Sequence, residues 1–400
     1  MTNATDIRCA NDLKLYGNLL ERPEVKDAND QIEKLREEGH VSVRRRLLAT
    51  SVRLSGVMAP QLHRIAAECV ERLGLEIPLE LYVYSSPTFN AACFAPEKGQ
   101  LFVMFSSSLI EAFDAAELSF VMGHELGHHL YRHHDVPVGF ILQGRSRPDP
   151  RLALDLFAWS RYAEISADRA GAHCARNPDA VALSLFKLAS GLTGKAIRFS
   201  PEEFISQVDA MQASDDDAQM QGSREDWFST HPFSPLRVKA LQLFHESVFA
   251  ESGGMSADKL ELGVESLMML MEPRYIDGNT DTAEAMRRLL FAGAIAVANA
   301  SGEISSAEKA VFDELFGAGS FTDSINVDRL EAELDERIGQ VVEKTSVPQR
   351  MQVLRDLCLM ARAEDEDREP AREVLAGIAN KLDVRRALVD EMLCGNIDLD

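Results

Sequence analysis

Residues 114–134 read DAAELSFVMGHELGHHLYRHH, and this stretch decides how the rest of the sequence is interpreted. Its centre is the pentapeptide HELGH at positions 124–128. On an α-helix, side chains four positions apart lie on one face, so His124 and His128 can direct two imidazoles to one metal ion. Glu125 borders the same face and can reach a water on that metal. The pattern indicates a catalytic zinc site.

The flanking residues predict that this stretch is helical. Asp114 and Glu117 form a D-x-x-E start signal, and apolar residues follow at helical spacing. Gly123 and Gly127 each weaken a helix by about 1 kcal/mol relative to Ala. We therefore expect a strand or a substrate to pack closely against the helix at these two glycines.

The composition is that of an ordinary soluble protein, but the charge is strongly negative. The 400 residues carry a net charge of -22, which argues against nucleic acid or an anionic membrane surface as a partner. Residues 256–400 hold 30 acidic and 16 basic side chains, a net charge of -14. Solubility alone explains such acidity, although an acidic segment also suits a basic protein partner.

The cysteines and the apolar runs indicate the cellular compartment of the protein. The 6 cysteines are scattered without a C-x-x-C pair, as expected in a reducing cytoplasm. The N-terminal residues contain no apolar signal core, and the longest apolar run, near residues 289–300, is shorter than the ~20 residues that span a bilayer. We expect a soluble cytoplasmic protein without a transmembrane segment.

Short runs with a strand pattern precede the HELGH helix. Residues 1–75 read as helices, and strands are predicted at residues 79–84, 90–94 and 100–105. Residues 90–94 are the candidate edge strand, along which a substrate backbone could add. Asn90 and Ala91 are therefore candidate substrate-binding residues.

A long helix predicted over residues 152–175 carries Glu164 and Asp168, again four positions apart. Such a pair is usually a solvated acidic face. After an HELGH motif, however, the two residues fit a third metal ligand and a carboxylate that holds a ligand histidine by a hydrogen bond.

Residues 229–237 read STHPFSPLR and place His231 just before a helix whose first turn contains Pro235. Taken alone, this stretch is better explained as a turn. Together with the other motifs, His231 and Arg237 could face the metal from its far side. The acidic residues 202–226 before it read as a mobile loop, and residues 252–254, SGG, read as a linker.

A different residue could also be the third metal ligand. Metzincins use H-E-x-x-H-x-x-G-x-x-H, and His134 occupies the position of the last histidine. Tyr131 stands where that motif has glycine, which discourages the necessary turn. His129, His133 and His134 otherwise read as a polar helix end.

Four motifs in order, NAACFA, HELGH, EISAD and STHPFSPLR, resemble the HtpX-like and CAAX-prenyl-endopeptidase family of gluzincin-type zinc metallopeptidases. The resemblance covers about residues 60–250. It implies one zinc per chain, and the residues that match the family's ligands are His124, His128 and Glu164. It further implies that Glu125 is the general base, that Asp168 orients a ligand histidine, and that His231 and Arg237 lie near the oxyanion. This sequence lacks the transmembrane helices of the best-known members, so membrane-protein and prenyl-protein substrates are not implied.

Residues 296–315, AVANASGEISSAEKAVFDEL, resemble the TerB-like helical domain of tellurite-resistance proteins. Ser301 replaces the acidic residue that usually precedes the glycine there, so no metal-binding role is carried over.

We therefore expect a mostly helical α+β protein. A zincin-like peptidase domain should occupy residues 1–255, with N-terminal helices over 1–75 and a catalytic core over about 60–250. An all-helical domain should occupy residues 256–400. The expected activity is zinc-dependent endopeptidase cleavage of protein or peptide substrates. The alternative is a zinc-containing scaffold or pseudo-peptidase whose helical C-terminal domain recruits partners.

Overall fold

The computed structural model confirms the α+β class, with many helices and one small sheet. It describes residues 3–38, 42–142, 150–193, 197–216, 230–271, 281–302, 304–316, 327–345, 347–361 and 369–394. These residues fall into two compact units. Unit 1 contains the described residues up to Ser214 and those from 230 to Leu267, and unit 2 contains Asp215, Asp216 and the described residues from Met268 onward.

Several helices of unit 1 begin at proline, whose missing N–H would be unpaired at a helix start in any case. Within the described residues, the helices that begin in unit 1 are α1 (Ala10–Glu21), α2 (Pro23–Glu37), α3 (Val43–Thr50), α4 (Pro60–Leu73), α5 (Ser107–Ala112), α6 (Ala115–Leu130), α7 (Val138–Leu142), α8 (Pro150–Ala175), α9 (Pro178–Ser190), α10 (Pro201–Asp216), α11 (Ser234–His245) and α12 (Ala257–Met269).

The sheet lies before α6, as predicted. Its strands are β1 (Val52–Leu54), β2 (Leu79–Tyr84), β3 (Ala91–Glu97) and β4 (Gln100–Ser106), in the order β1-β2-β4-β3. β2 and β4 are parallel, and the other two pairs are antiparallel. Within the described residues β3 pairs with β4 alone, which confirms its position at an edge. The helical reading of residues 1–75 is wrong at β1, because three residues are too few to show a strand period.

Helix α3 covers the sheet. Its Leu47 packs against Tyr82 of β2 and Phe102 of β4 in a buried cluster. β2 and β4 are the two central strands of the sheet, and β1 and β3 are its edges.

The acidic segment predicted to be a mobile loop begins instead with α10. Phe204 and Val208 are both buried and lie four positions apart, so they give this polar segment one apolar face. The prediction was wrong here because it weighed acidity over this short apolar spacing. The remainder, residues 217–226, lies outside the described residues.

Residues 252–254 belong to a folded turn inside unit 1 rather than to a linker between the units. The N–H of Gly254 donates to the carbonyl of Glu251 at 3.1 Å, and Ser247 forms a bridge with Met255. Glycine content alone could not distinguish such a turn from a flexible connection.

Helix α12 is tied to the N-terminal part of the chain. Its Glu261 accepts hydrogen bonds from Arg169 of α8 at 2.6 Å and from the N–H of Ala10 at 3.0 Å. Arg169 is fully buried, and it would be costly to leave without this partner. Unit 1 accordingly extends to Leu267, whereas the sequence analysis placed a domain boundary at residue 255.

The elements described in unit 2 beyond α12 are helical. They are α13 (Asp281–Ala298), α14 (Ser306–Phe316), α15 (Val327–Ala332), α16 (Leu334–Lys344), α17 (Val347–Ala361), α18 (Glu369–Lys381) and α19 (Arg386–Cys394). The buried helix α13 packs against α15, α16, α17 and α18 and forms the centre of the unit. None of the helices that the structure describes is long and apolar enough to cross a membrane.

Candidate metal centre

Helix α6 begins where the sequence predicts. The Asp114 carboxylate accepts hydrogen bonds from the N–H groups of Ala116 and Glu117 at 2.8 and 2.9 Å, and Glu117 accepts from the N–H of Asp114 at 2.6 Å. Glu117 is also buried against Lys187 of α9, at 2.7 Å. The capping box was visible in the sequence, whereas the ion pair, which joins residues 70 positions apart, was not.

The two glycines of α6 face helix α8 and not a strand or a substrate, so that expectation is wrong. A Cβ added to Gly123 would lie 2.6 Å from Cβ of Cys174, and one added to Gly127 would lie 2.8 Å from Cβ of Ala170. The two helices therefore approach more closely than larger side chains allow. This contact brings the carboxylates of α8 beside the histidines of α6.

Three side chains converge where α6 and α8 meet. The Nε2 atoms of His124 and His128 are 3.2 Å apart. The carboxylate of Glu164 lies 3.5 Å from Nε2 of His124 and 3.4 Å from Nε2 of His128. One donor atom from each residue lies within 4.8 Å of the other two.

Asp168 and Arg237 support this cluster from one side. Nδ1 of His124 donates to Oδ1 of Asp168 at 2.9 Å. The guanidinium of Arg237, from α11, donates to both carboxylate oxygens of Asp168 at 2.6 and 2.8 Å and lies 3.4 Å from Oε2 of Glu164. The Arg237 side chain is buried, and its guanidinium contacts two carboxylates, those of Asp168 and Glu164.

The charges of the site keep both carboxylates ionised. Burial raises the pKa of Glu164, but the nearby positive groups, with His231 first among them, hold it well below its usual range. Burial likewise raises the pKa of Asp168, and the charge and hydrogen bonds of Arg237 more than offset this effect and lower it. The site thus presents negative charge at neutral pH.

These donors fit a divalent cation. Because Nδ1 of His124 gives its proton to Asp168, Nε2 keeps a lone pair that points into the cluster. Oε2 of Glu164 is buried, with the Arg237 guanidinium at 3.4 Å but no hydrogen bond from any described residue. A bound cation would supply the close partner that this oxygen lacks. Two imidazoles and one carboxylate form a common donor set of catalytic zinc sites.

Glu125 lies on the side of α6 toward the sheet edge. It is buried, and α6 packs against β3. Burial, followed by the charge of Glu125, raises the pKa of the Cys93 thiol in β3, which places the carboxylate within electrostatic range of that strand. The general-base candidate therefore lies near the edge strand.

His231 lies at the exposed rim of the cluster. Its side chain is 65% exposed, and its Nε2 is 3.6 Å from Oε1 of Glu164. Its Nδ1 makes a 2.9 Å hydrogen bond with Oγ1 of Thr230. The structure thus brings His231 to the cluster without burying it.

Ala91 begins the edge strand, and Asn90 immediately precedes it. The carbonyl of Asn90 accepts a hydrogen bond from the N–H of Ser106 at 2.9 Å, and Ala91 pairs with Phe105. Both residues are thereby held against β4, at the beginning of the strand against which α6 packs.

His134, the alternative third ligand, stays outside the cluster of donors found among the described residues. The polar helix end predicted for this region is also wrong for His133. α6 ends at Leu130, and the left-handed φ of Arg132, 60°, turns the chain into a short 3-10 turn. His133 is consequently buried, with Nδ1 2.8 Å from Nδ1 of His128.

Asp12, which the sequence analysis did not consider, is the partner of His133. Its carboxylate accepts a hydrogen bond from Nε2 of His133 at 3.0 Å. The two residues are 121 positions apart, and an aspartate in an N-terminal helix carries no motif. The unusual density of histidines after HELGH was the one signal that pointed to this place.

Comparison with known proteins agrees with this geometry. The pattern of Peptidase family M48 matches residues 57–143 and 151–244. The plastoglobule-localized metallopeptidase 48 of Arabidopsis thaliana is 35% identical over 171 residues, which are 40% of this chain and 49% of that protein. A protease HtpX homolog of Helicobacter pylori is 34% identical over 76 residues, 19% of this chain and 24% of the homolog. One of Pyrobaculum aerophilum is 37% identical over 73 residues, 18% of this chain and 21% of the homolog. No solved structure gives a significant match.

The chain therefore spans at most about half the length of these relatives. The matched residues include both histidines of HELGH, the helix that carries Glu164 and Asp168, and the helix that carries Arg237. By this match, the region from residue 57 to residue 244 belongs to peptidase family M48 and is related to the HtpX proteases.

Proposed function

We propose that this chain is a zinc-dependent endopeptidase that hydrolyses peptide bonds in protein substrates. The observation that carries the proposal is the convergence of His124, His128 and Glu164, with Glu125 adjacent to the first histidine. Three protein donors leave a coordination position for water, as catalytic zinc sites do and structural ones do not.

Zinc, when bound, supplies a Lewis acid that acidifies water and polarises a carbonyl group. Residues of the chain transfer the proton and stabilise the developing charge. Glu125 takes the proton of the attacking water and returns it to the leaving amine. His231, at the rim beside Glu164, donates a hydrogen bond to the carbonyl oxygen as negative charge develops there.

We assign Arg237 a positioning role and no longer a place at the oxyanion. Its guanidinium is buried and already donates to both oxygens of Asp168. A developing oxyanion would have to compete with this bidentate ion pair. Arg237 instead fixes Asp168, and Asp168 fixes the ring of His124.

The substrate backbone adds to β3 in this proposal. Among the described residues this strand has a partner on one side only, and Glu125 lies near it. Backbone hydrogen bonds would align an extended segment without regard to its sequence. Asn90 and Ala91, at the start of β3, are the residues that we assign to this contact.

Replacement of Glu125 by Gln tests the proposal, because this change removes the base at nearly constant size. We expect the variant to retain zinc and lose nearly all cleavage of an unstructured protein. Glu111→Gln, on the exposed surface of α5, is the matched control and should cleave like the wild type. Full activity of Glu125→Gln would refute the mechanism. Bound zinc without cleavage by the wild type on any unfolded substrate would favour the scaffold alternative.

The choice of third ligand has its own test. Glu164→Ala should release zinc much more readily than the wild type, whereas His134→Leu should retain it. The support is that Glu164 lies within the donor cluster and His134 does not. The opposite result would restore the metzincin assignment.

For the acidic C-terminal part we propose a TerB-like helical domain that regulates or targets the peptidase and performs no chemistry. Its charge suits a basic partner or basic substrate segments. The experiment compares the full chain with a fragment of residues 1–267, after confirming that the fragment folds and binds zinc. Faster cleavage by the fragment indicates a lid, and unchanged cleavage indicates a targeting role. A fragment that folds but cleaves more slowly would contradict both.

A further inference from the structure

A buried carboxylate, that of Asp12, lies beyond His133, the side chain that contacts the candidate ligand His128. Asp12 of α1 has no exposed surface. Its two oxygens accept hydrogen bonds from four side chains: Arg8 at 2.8 and 3.1 Å, Trp159 at 3.0 Å, Ser166 at 2.7 Å and His133 at 3.0 Å. Trp159 and Ser166 belong to α8, the helix that carries Glu164.

The hydrogen bonds form a chain in which His128 donates to His133 and His133 donates to Asp12. A carboxylate can only accept, so Nε2 of His133 must carry a proton. A neutral His133 then has a bare Nδ1, which accepts the proton of Nδ1 of His128. Nε2 of His128 is left with its lone pair, and this atom lies 3.2 Å from Nε2 of His124.

The charges around Asp12 keep it ionised although it is buried. The hydrogen bond from His133 and the charge of Arg8 overcome the burial of Asp12 and lower its pKa. The contact of Asp12 with His128 resembles that of Asp168 with His124, except that the ring of His133 lies between the carboxylate and the ligand histidine.

We infer that Asp12 and His133 position the ring of His128 as a metal ligand. The inference rests on the proposed metal centre and extends it. Each ligand histidine would then have its own carboxylate: Asp168 directly for His124, and Asp12 through His133 for His128. A hydrogen-bonded outer partner fixes the tautomer and orientation of a ligand histidine, and its loss typically weakens metal binding by about 10–100-fold.

The N-terminal segment that carries Asp12 would thus contribute to the metal centre. Asp12 lies outside residues 57–244, the region that matches the peptidase family. The segment is anchored by contacts that are separate from the relay. The hydroxyl of Tyr131 donates to the carbonyl of Ala4 at 2.8 Å, and the side chain of Asn11 donates to Glu265 at 2.9 Å.

The test uses the full chain and three variants. Asp12→Asn removes the charge at constant size, and His133→Gln interrupts the relay should Asp12→Asn fail to fold. Tyr131→Phe is the control, since it weakens the anchoring of the segment and leaves the relay intact. The measurements are the zinc dissociation constant by competition with a chelator, the melting temperature of the metal-free protein, and the histidine 15N spectrum of that form.

We expect zinc binding to weaken by about 10–100-fold in Asp12→Asn and in His133→Gln, and by less than about twofold in Tyr131→Phe at a similar loss of melting temperature. In the metal-free wild type, His128 should carry its proton on Nδ1, and both relay variants should shift it toward Nε2. Wild-type zinc affinity in Asp12→Asn would overturn the inference. So would equal weakening in Tyr131→Phe, because the effect would then be a general loss of packing.

Failure of the proposed function gives a different result. If the wild type binds no zinc, the proposed metal centre is wrong. The 15N spectrum of the metal-free protein still decides whether Asp12 and His133 set the tautomer of His128, and a His128 with its proton on Nε2 would overturn the inference independently.

Discussion

Arg237 donates two hydrogen bonds to the carboxylate of Asp168, at 2.6 and 2.8 Å, and thereby joins α11 to α8 directly behind a candidate metal ligand. The pair is buried, and the same carboxylate accepts from Nδ1 of His124. Removal of the Asp168 carboxylate should consequently affect both the stability of the fold and metal binding.

Asp168→Asn should destabilise the metal-free protein by about 3–5 kcal/mol, because it removes the carboxylate that holds a buried guanidinium by two hydrogen bonds and leaves only the more distant Glu164. Zinc binding should weaken by about 10–100-fold as His124 loses its orienting partner. Urea unfolding and chelator competition measure the two effects. Asp179→Asn, on the exposed start of α9, should change neither. An unchanged zinc affinity in folded Asp168→Asn would show that Asp168 does not orient the ligand.

His231→Phe should lower kcat by about 10²–10³-fold with little change in KM, as expected when one hydrogen bond to a developing oxyanion is removed. The side chain is largely exposed, so stability should be unaffected. Steady-state kinetics on a defined peptide, with zinc content and melting temperature as controls, measure this. A rise in KM alone would make His231 a residue of substrate binding.

Gly127→Ala should destabilise unit 1 by about 1–3 kcal/mol, although alanine is the better helix former. The added Cβ would meet Ala170 at 2.8 Å, so α6 and α8 would have to move apart. Gly17→Ala in α1 is the matched control. Nothing lies within 4 Å of its Cβ position, and it should stabilise by about 0.5–1 kcal/mol. Stabilisation by both substitutions would mean that the two helices are not in close contact.

Acid should destabilise the protein partly through His134. Burial, the largest cause, lowers the pKa of His134 to about 3. In the unfolded chain the His134 ring becomes protonated below about pH 6.5, whereas in the folded chain it stays neutral until the pH approaches its lower pKa. The contribution is therefore intact above about pH 6.5 and is lost progressively as the pH falls toward the folded value.

Urea unfolding of the wild type and of His134→Leu between pH 7 and 4 checks this expectation. The wild type should lose more stability across the range than the variant does. Parallel curves would show that His134 titrates alike in the folded and unfolded chain. Metal-free protein is used for both, so that release of bound metal does not contribute.

The sequence predicted the parts of the site that are local. The spacing of His124 and His128 on one helix and the start signal at Asp114 depend only on near neighbours, and the structure has both as expected. Glu164 was found because it stands in a second motif with its own spacing.

The residues that were missed depend on contacts between distant segments. Asp12 reaches His133 only because α1 packs on α8, and Lys187 reaches Glu117 only because α9 packs on α6. Neither pairing has a periodic pattern. The glycines of α6 were noticed, but the sequence could not tell which element fills the space beside them.

The order of the site residues along the chain bears on its biosynthesis. Asp12 is made first and Arg237 last, so a nascent chain passes through more than two hundred residues before every buried charge of the centre has its partner. Since contacts of high sequence separation form late, we expect the centre to be incomplete while the chain is on the ribosome. Ribosome-stalled chains that end before residue 237 should therefore bind zinc more weakly than the released protein. If the chain is a peptidase, as proposed, it could not cleave neighbouring nascent chains before Arg237 has been made.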